Sequence, residues 1–137
     1  MRLHATIARE RFAAARVARL ATSADSEPHV VPVTFAVDGD VLAFAVDHKP
    51  KTSTALRRLH NIEANPKVSA LVDEYHEDWN LLWWARADGI AAVLPANDPG
   101  ARAALGWLRA KYEQYRERPP EGPVVLVDVR RWSGWTA

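Results

Sequence analysis

The sequence predicts an α+β domain whose strands form a mostly antiparallel sheet or barrel. The first indication is a set of three short segments rich in Val, Phe and Thr, separated by turn-forming residues. The second is that only three segments have helical spacing, too few to alternate with strands as in a parallel doubly wound sheet. The chain has 137 residues, of which 48% are hydrophobic, so we expect residues 1–137 to form a single globular domain.

The first half of the chain contains one predicted helix followed by three predicted strands. An apolar stripe between Leu3 and Ala15 indicates a short amphipathic helix. The spacing then changes, and strands are predicted over residues 17–22, 28–37 and 41–47. Asp38-Gly39 predicts a tight hairpin between the last two strands, because glycine adopts a positive φ without steric penalty.

The second half predicts two helices and three strands. A helix begins at the capping residues Thr52-Ser53-Thr54 and ends before Asn65-Pro66. Two strands are then predicted over residues 68–72 and 81–94, with an exposed acidic loop over residues 73–78 and a bulge near Gly89. Asp98-Pro99 is a helix start, and Pro119-Pro120 ends that helix. A last strand is predicted over residues 124–130, followed by residues 132–137 as a tail.

The composition excludes several classes of protein. The 18 Lys and Arg against 17 Asp and Glu leave a net charge of +1, without the basic excess of a dedicated nucleic-acid binder. The absence of cysteine excludes a disulfide scaffold, a cysteine zinc site and a thiol nucleophile. The five histidines have no ligand-like spacing, so no metal site is expected. No segment resembles a signal peptide or approaches the ~20 apolar residues of a membrane span, and we expect a cytoplasmic protein.

The most unusual charge pattern lies between His48 and Ile62. Four basic side chains occur there without any Asp or Glu before Ile62: Lys49, Lys51, Arg57 and Arg58. The two lysines precede a predicted helix start, where free backbone N–H groups and the helix dipole favour an anion such as a phosphate. The alternative is that all four side chains are merely solvated.

Tryptophan is the second unusual feature, with six in the chain. Strand alternation places Trp83 and Trp84 on opposite faces, so at most one of them joins a one-sided core. The other is expected to cover a subunit interface or a planar ligand, unless both pack under loops. No nucleophile or carboxylate pair is evident, so no catalytic residue is assigned and any reaction is expected to rely on a cofactor.

Taken together, the segments resemble the pyridoxamine phosphate oxidase-like family of split β-barrels. The similarity covers nearly the whole chain and is carried by Val17-Ala18-Arg19-Leu20-Ala21-Thr22, Pro28 to Phe35, the Asp38-Gly39 hairpin, Lys49-Pro50-Lys51-Thr52 through Arg58, and Asn65-Pro66-Lys67-Val68-Ser69. Asp78-Trp79, Leu82-Trp83-Trp84 and Trp132-Ser133-Gly134-Trp135 are similar to an actinobacterial branch of F-420-dependent enzymes.

The resemblance implies a split β-barrel of about six mostly antiparallel strands with two or three helices, known as the FMN-binding split barrel. It also implies a homodimer with two cofactor sites at the subunit interface. In such proteins the cofactor phosphate lies at the position of Lys49, Lys51 and Thr52, and the ring system lies against the backbone of Val31, Pro32, Val33 and Thr34. Trp79 and Trp83 contributed by the partner chain, together with the C-terminal Trp135, would close the pocket, and Arg57 and Arg58 would face an anionic cofactor tail.

The implied cofactor is coenzyme F-420, a deazaflavin, with FMN as the alternative. The implied reaction is hydride transfer to or from a small unsaturated substrate. Pyridoxamine phosphate is not expected as the substrate, because the chain ends in Trp135-Thr136-Ala137 where true pyridoxamine phosphate oxidases have an Arg-rich ending. A non-catalytic protein that binds deazaflavin or another ligand in the same pocket remains a further alternative.

Overall fold

A computed structural model describes residues 1–46 and 53–137, and within them seven strands form one antiparallel sheet. The strands are β1 (Ala18–Ala24), β2 (Glu27–Val33), β3 (Ala36–Asp38), β4 (Val41–Ala45), β5 (Lys67–Glu74), β6 (Trp83–Leu94) and β7 (Val124–Thr136). The helices are α1 (Ala5–Ala14), α2 (Ser53–Ala64), α3 (Pro99–Lys111) and α4 (Glu113–Glu117), with a 3₁₀ turn at Trp79–Leu81. The predicted α+β class with an antiparallel sheet is confirmed.

The strands lie in the order β2-β1-β5-β6-β7-β4-β3, and the main core fills the inner face of this sheet. Phe12 of α1 is at its centre, edge-on to Phe35 at 5.0 Å and to Trp132 at 5.4 Å between ring centroids. Fully burying a Phe or Leu side chain contributes about 1.5–3 kcal/mol. Ile62 of α2 enters the same cluster, so α1 and α2 both cover the inner face.

Helix α3 covers part of the opposite, outer face. Its Ala101 and Ala104 pack against Ala43 of β4 and Val124 of β7. Small residues on both sides allow the helix to approach the sheet closely. The outer face of β1, β2 and β5 instead carries exposed side chains, including Val30 and Leu71. Among the described helices, none is long and apolar enough to cross a membrane.

Two predicted local features are confirmed. Gly39 has a φ of 59° in the hairpin between β3 and β4. The register between β6 and β7 shifts at Asp88 and Gly89, which is the predicted bulge. The first hairpin turns at Asp25 and Ser26, both of which also have positive φ.

The predicted strand over residues 28–37 is wrong, because it is two strands. β2 pairs with β1 at one edge of the sheet, whereas β3 pairs with β4 at the opposite edge. The chain must therefore cross between edges, and it does so at Thr34 and Phe35. The Phe35 backbone N–H donates to the Tyr112 hydroxyl at 3.1 Å, which satisfies a group that no strand pairs.

The predicted tail over residues 132–137 is also wrong, because β7 continues to Thr136. This part of β7 pairs with the start of β6, with Trp135 opposite Trp84. The first residues of the chain pair with its other side, where the Leu3 N–H donates to the Gly134 carbonyl at 3.0 Å. The third predicted helix is likewise divided at Tyr112 into α3 and α4.

Candidate functional site

An aromatic cavity of about 400 Å³ lies at the end of β5, β6 and β7. It is lined by Leu71, Asp73, Glu74, Tyr75, Leu82, Trp83, Trp84, Arg86 and Trp135. Strand register explains how residues distant in sequence meet there. Asp73 is opposite Trp84 on β6, and Trp84 is opposite Trp135 on β7, so these three side chains share the outer face.

Arg86 brings a positive charge to this apolar cavity. Its guanidinium lies 5.6 Å from the centroid of the Trp84 ring, within the range of a cation–π contact. Its Nε also donates to Asp88 at 3.0 Å, which fixes the orientation of the side chain. The cavity therefore offers flat aromatic surface beside one oriented cation.

Trp83 lies on the other side of β6, as strand alternation predicts, and packs against the main core. Its indole Nε1 donates to Glu74 at 2.9 Å, and Glu74 also contacts His76 Nε2 at 2.9 Å. The hydrogen bonds from His76 and then Trp83 hold the pKa of Glu74 below its usual range. Glu74 is therefore a carboxylate at neutral pH, and it accepts hydrogen bonds at the edge of the cavity.

Of the three predicted pocket tryptophans, Trp83 and Trp135 line the aromatic cavity and Trp79 does not. Trp79 lies on the 3₁₀ turn, is 67% exposed, and donates from its indole Nε1 to the Tyr75 hydroxyl at 3.5 Å. Trp84 also lines the cavity; the sequence offered it only as one of two residues that could cover an interface or a planar ligand, and it was not among the residues predicted to bind the cofactor.

The predicted ring-binding segment, residues 31–34, lies apart from this cavity at the β2–β3 junction. Val33 is buried and Val31 packs against the main core, whereas Pro32 is exposed. Thr34 Oγ1 is 2.8 Å from the hydroxyl of Tyr115 on α4. None of these residues is among those lining the aromatic cavity.

The two predicted basic residues of α2 differ from each other. Arg57 is exposed and forms an ion pair with Glu27 at 3.1 Å. Arg58 is half-buried, with its guanidinium 5.8 Å from the centroid of the Phe44 ring. Its buried Nε has no hydrogen-bond partner within the described part of the chain. Burial lowers the pKa of Arg58, and the nearby Tyr115 opposes that effect.

The predicted phosphate contacts Lys49, Lys51 and Thr52 lie outside the described residues. The β2–β3 junction and the aromatic cavity are nevertheless related through the outer face of the sheet. Pro32 is opposite Arg19, and Arg19 is opposite Leu71, which lines the cavity. Two strand spacings separate Pro32 from Leu71, roughly 10 Å.

Comparison with known proteins identifies the family. The model of the pyridoxamine 5′-phosphate oxidase family matches residues 6–136. The chain belongs to this family. The seven-stranded antiparallel sheet and its helices agree with the split β-barrel of pyridoxamine 5′-phosphate oxidase-like proteins. No curated protein sequence matches the chain.

Solved structures similar to this pyridoxamine 5′-phosphate oxidase family member have different ligands in their descriptions. A FAD-binding protein from Mesorhizobium loti has 22% identity and a TM-score of 0.77, covering 98% of this chain and 95% of its own. A FAD-binding protein from Mycobacterium smegmatis has 19% identity and a TM-score of 0.68, covering 98% and 97%. A heme storage protein from Vibrio cholerae has 15% identity and a TM-score of 0.70, covering 99% and 95%.

The described residues of this family member fit a flavin-type cofactor on two counts. The Arg58 Nε is a buried donor for which residues 1–46 and 53–137 supply no acceptor, as expected of a group that receives an anionic ligand. The tryptophans of the aromatic cavity supply flat apolar surface of the kind that a planar ring system requires. The fit concerns the class of ligand, a planar ring system with an anionic chain.

Proposed function

We propose that this protein is an oxidoreductase that transfers hydride between a flavin or deazaflavin cofactor and a small unsaturated substrate. The observation that carries the proposal is the aromatic cavity, in which Trp84 and Trp135 face Arg86 on the outer side of the sheet. A flavin or deazaflavin supplies the hydride chemistry when bound. The protein's own residues bind and orient the ring system and exclude water from it.

The charge state of Glu74 limits its role in such a reaction. Because its pKa is lowered, the side chain is ionised at neutral pH and accepts hydrogen bonds from Trp83 and His76. It therefore orients the indole of Trp83 and does not act as a proton donor. We propose that solvent provides the proton that accompanies hydride transfer.

We further propose a homodimer in which one subunit's aromatic cavity completes the other subunit's β2–β3 junction. Support comes from the outer face of β1, β2 and β5, where Val30 is 61% exposed and Leu71 is 36% exposed. A three-ring ligand needs walls on both sides, and one chain keeps its two candidate walls on separate parts of the sheet. An interface of the standard ~1,600 Å² class would cover this face.

Coenzyme F-420 is the first candidate for the cofactor and FMN is the alternative. Arg58, whose Nε has no hydrogen-bond partner among the described residues, suits the anionic chain that both cofactors carry. Arg57 is less available for the longer tail of F-420, because it already pairs with Glu27. The FAD-binding relatives add FAD to the cofactors that must be tested.

A non-catalytic ligand-binding protein is the second candidate function. It is favoured by the ionised state of Glu74, which leaves this carboxyl without a proton to donate inside the aromatic cavity. The same cavity would then hold a planar ligand without turning it over.

The cofactor is tested by the absorption spectrum of the purified protein and mass spectrometry of the released ligand. Titration calorimetry with F-420, FMN, FAD and heme then ranks their affinities. Turnover of reduced cofactor with a panel of unsaturated substrates separates an enzyme from a binding protein. Failure of all four ligands to bind would contradict the proposed function, and binding without turnover would favour the second candidate.

The predicted phosphate site is tested by replacing Lys49 and Lys51 together with alanine. Each charge-assisted hydrogen bond contributes about 1.5–3 kcal/mol, so affinity for the preferred cofactor should fall at least about a hundredfold. Arg57→Ala is the control on the neighbouring helix. The exposed ion pair between Arg57 and Glu27 contributes little to the stability of the fold, and Arg57 was predicted to face the longer tail of F-420. The variant should therefore keep its affinity for FMN. Unchanged affinity in the double lysine variant would remove Lys49 and Lys51 from the site.

A further inference from the structure

Arg86 is held at one end of the aromatic cavity by a chain of polar contacts across the outer face of the sheet. Its Nε donates to Asp88 at 3.0 Å, and the Ser69 hydroxyl donates to the other oxygen of the same carboxylate. Ser69 is opposite Asp88 in the β5–β6 ladder, so the strand register brings these two side chains together. Neither lines the cavity, and together they fix the Arg86 guanidinium from the side away from it.

The rest of the Arg86 guanidinium is available to a ligand. Arg86 lines the cavity, and its guanidinium lies 5.6 Å from the centroid of the Trp84 ring in the same lining. In the described part of the chain, Asp88 is its only acceptor and receives the Nε proton alone. The N–H groups on Nη1 and Nη2 thus remain for a ligand. An oriented guanidinium with two such nitrogens binds a carboxylate through two parallel hydrogen bonds.

The opposite end of the cavity carries negative charge. Asp73 lies opposite Trp84 in the ladder, and Trp84 is two residues, roughly 7 Å, from Arg86 along β6. Glu74 lines the cavity at the same end as Asp73. These two carboxylates disfavour a dianion such as a phosphate monoester, whereas a singly charged carboxylate at the Arg86 end is compensated by the guanidinium. The charges therefore favour a monoanion bound with its acidic group at Arg86.

The aromatic cavity is also the part of the proposed site that is left for a substrate. A hydride passes only between groups in contact, so the substrate must lie against one face of the cofactor ring. In the proposed dimer the β2–β3 junction of one subunit covers the other face of that ring. The cavity of about 400 Å³ has the volume of a small-molecule site, and Trp84 and Trp135 give it flat apolar walls.

We propose that Arg86 is a specificity-determining residue that binds the carboxylate of the substrate, and that the substrate is a small planar unsaturated carboxylic acid. Ser69 and Asp88 are positioning residues that orient the Arg86 guanidinium. This inference rests on the proposed function, because it assumes that a cofactor ring faces the cavity. It adds the chemical class of the substrate to that function.

The experiment is NMR titration of the full chain, saturated with whichever of F-420, FMN and FAD binds most tightly. The probes are trans-cinnamate and cinnamamide, which are both planar and unsaturated, have nearly the same shape and differ in charge. We expect the wild type to bind the acid more tightly, with shifts of the indole N–H signals of Trp84 and Trp135. Arg86→Gln should lose about tenfold in affinity for cinnamate and less than twofold for cinnamamide, because only the acid forms charge-assisted hydrogen bonds.

Arg130→Gln is the matched control. The Arg130 Nε donates to Asp128 at 2.9 Å, so β7 carries the same arginine–aspartate pair two residues apart, but Arg130 does not line the aromatic cavity. This variant makes the same change in net charge as Arg86→Gln. It should bind both probes as the wild type does.

Ser69 tests the positioning part of the proposal. Ser69→Ala removes the hydroxyl that holds Asp88, and it should lower the preference for cinnamate over cinnamamide about threefold, the effect of one ordinary hydrogen bond. Ser69→Thr keeps a hydroxyl and should retain the wild-type preference. An unchanged preference in Ser69→Ala would overturn the positioning role of this residue.

Two results would overturn the assignment of Arg86 and leave the proposed function intact. One is a wild type that binds the acid and the amide equally. The other is an Arg86→Gln variant that loses affinity for the cofactor and not for cinnamate, which would assign Arg86 to the cofactor. A protein that binds none of F-420, FMN and FAD would instead overturn the proposed function and this inference with it.

Discussion

At the scale of single residues, Lys111 shows how one amine joins two helices. Its Nζ donates to the carbonyl oxygens of Ala13 at 3.1 Å, in the last turn of α1, and of Ala15 at 2.7 Å, just after it. These carbonyls have no partner within the helix, so a cation there also complements the helix dipole. The same amine lies 3.8 Å from the centroid of the Phe35 ring.

Partial burial, with a smaller contribution from Arg16, lowers the pKa of Lys111 from 10.5 to about 8. Above pH 8 the folded protein therefore binds fewer protons at this site than the unfolded chain does, and stability rises with pH until about 10.5. Below pH 8 both states are protonated and the contribution is constant. We therefore expect the free energy of unfolding of the wild type to rise, relative to that of Lys111→Met, by about 1 kcal/mol from pH 8 to 10. This figure allows for solvent screening of a half-exposed amine.

Denaturant unfolding of both proteins at several pH values between 7 and 10 measures this difference. Comparison with Lys111→Met removes contributions that the two proteins share. A stability difference that stays constant over the range would show that Lys111 has an ordinary pKa in the folded protein.

The adjacent Arg57 and Arg58 show what a sequence pattern leaves open at this scale. The basic run predicted an anion site, and neighbouring positions on a helix point about 100° apart. Only the packing of α2 on the sheet decides that Arg57 reaches Glu27 at the surface while Arg58 lies over Phe44. Tyr115 gave no signal in the sequence, because its contact with Thr34 joins residues 81 positions apart.

At the scale of elements, the long β6–β7 pair depends on glycine at the bulge. A Cβ at Gly89 would meet the carbonyl oxygen of Asp128 on the paired strand and lie 2.8 Å from Val127 Cγ1. A backbone atom in a central ladder cannot move aside cheaply. Gly89→Ala should therefore lower the free energy of unfolding by about 1–3 kcal/mol, as measured by denaturant titration.

Gly106 provides the matched control. It lies exposed in α3, and no atom lies within 4 Å of the Cβ that an alanine would add. Gly106→Ala should raise stability by about 0.5–1 kcal/mol, because alanine loses less backbone entropy in a helix than glycine does. Equal effects of the two substitutions would contradict the assigned role of the bulge.

Local signals predicted the elements well where the decisive residues are close in sequence. The Asp38-Gly39 turn and the bulge at Gly89 follow from single residues and their neighbours. The break at Thr34 and Phe35 could not be predicted from alternation, because it depends on which edge of the sheet each strand joins. The pairing of Trp135 with Trp84 is equally non-local, so the end of β7 resembled a tail.

This pairing also changes how the C-terminal tryptophans should be tested. Removing all residues after Arg131 would delete Trp132, which packs on Phe12, and Gly134, which pairs with Ala85 in the core. Such a truncation would lose stability as well as ligand contacts. Trp135→Ala is the cleaner change, since Trp135 is 38% exposed and lines only the aromatic cavity on the outer face.

At the scale of the whole molecule, the sheet separates the two parts of the candidate site. The β2–β3 junction joins the two edge strands, whereas the aromatic cavity lies at the end of β5, β6 and β7. The sequence resemblance predicted both sets of residues, and it implied that aromatic residues of the partner chain close the pocket. The proposed dimer pairs each cavity with the junction of the other subunit, so the proposed oligomer and the proposed ligand depend on each other.

Leu71 is the residue at which this dependence can be tested. It is 36% exposed on the outer face and lies between Arg19 of β1 and Arg86 of β6 in the ladder. We expect wild-type protein to sediment as a dimer, at twice the 15.3 kDa of one chain, at micromolar concentration. Leu71→Asp should sediment at 15.3 kDa, because burying a carboxylate in the interface has a desolvation cost that pairing with Arg19 or Arg86 does not recover, and it should lose cofactor affinity in parallel.

Ile7→Asp is the control for the cost of an added charge. Ile7 is 39% exposed on α1, which packs on the inner face, away from the proposed interface. This variant should remain a dimer and bind cofactor as wild type does. Circular dichroism must show that both variants keep their fold. A dimeric Leu71→Asp variant would exclude the outer face as the interface, whereas a monomer that binds cofactor with full affinity would show that each chain holds a complete site by itself.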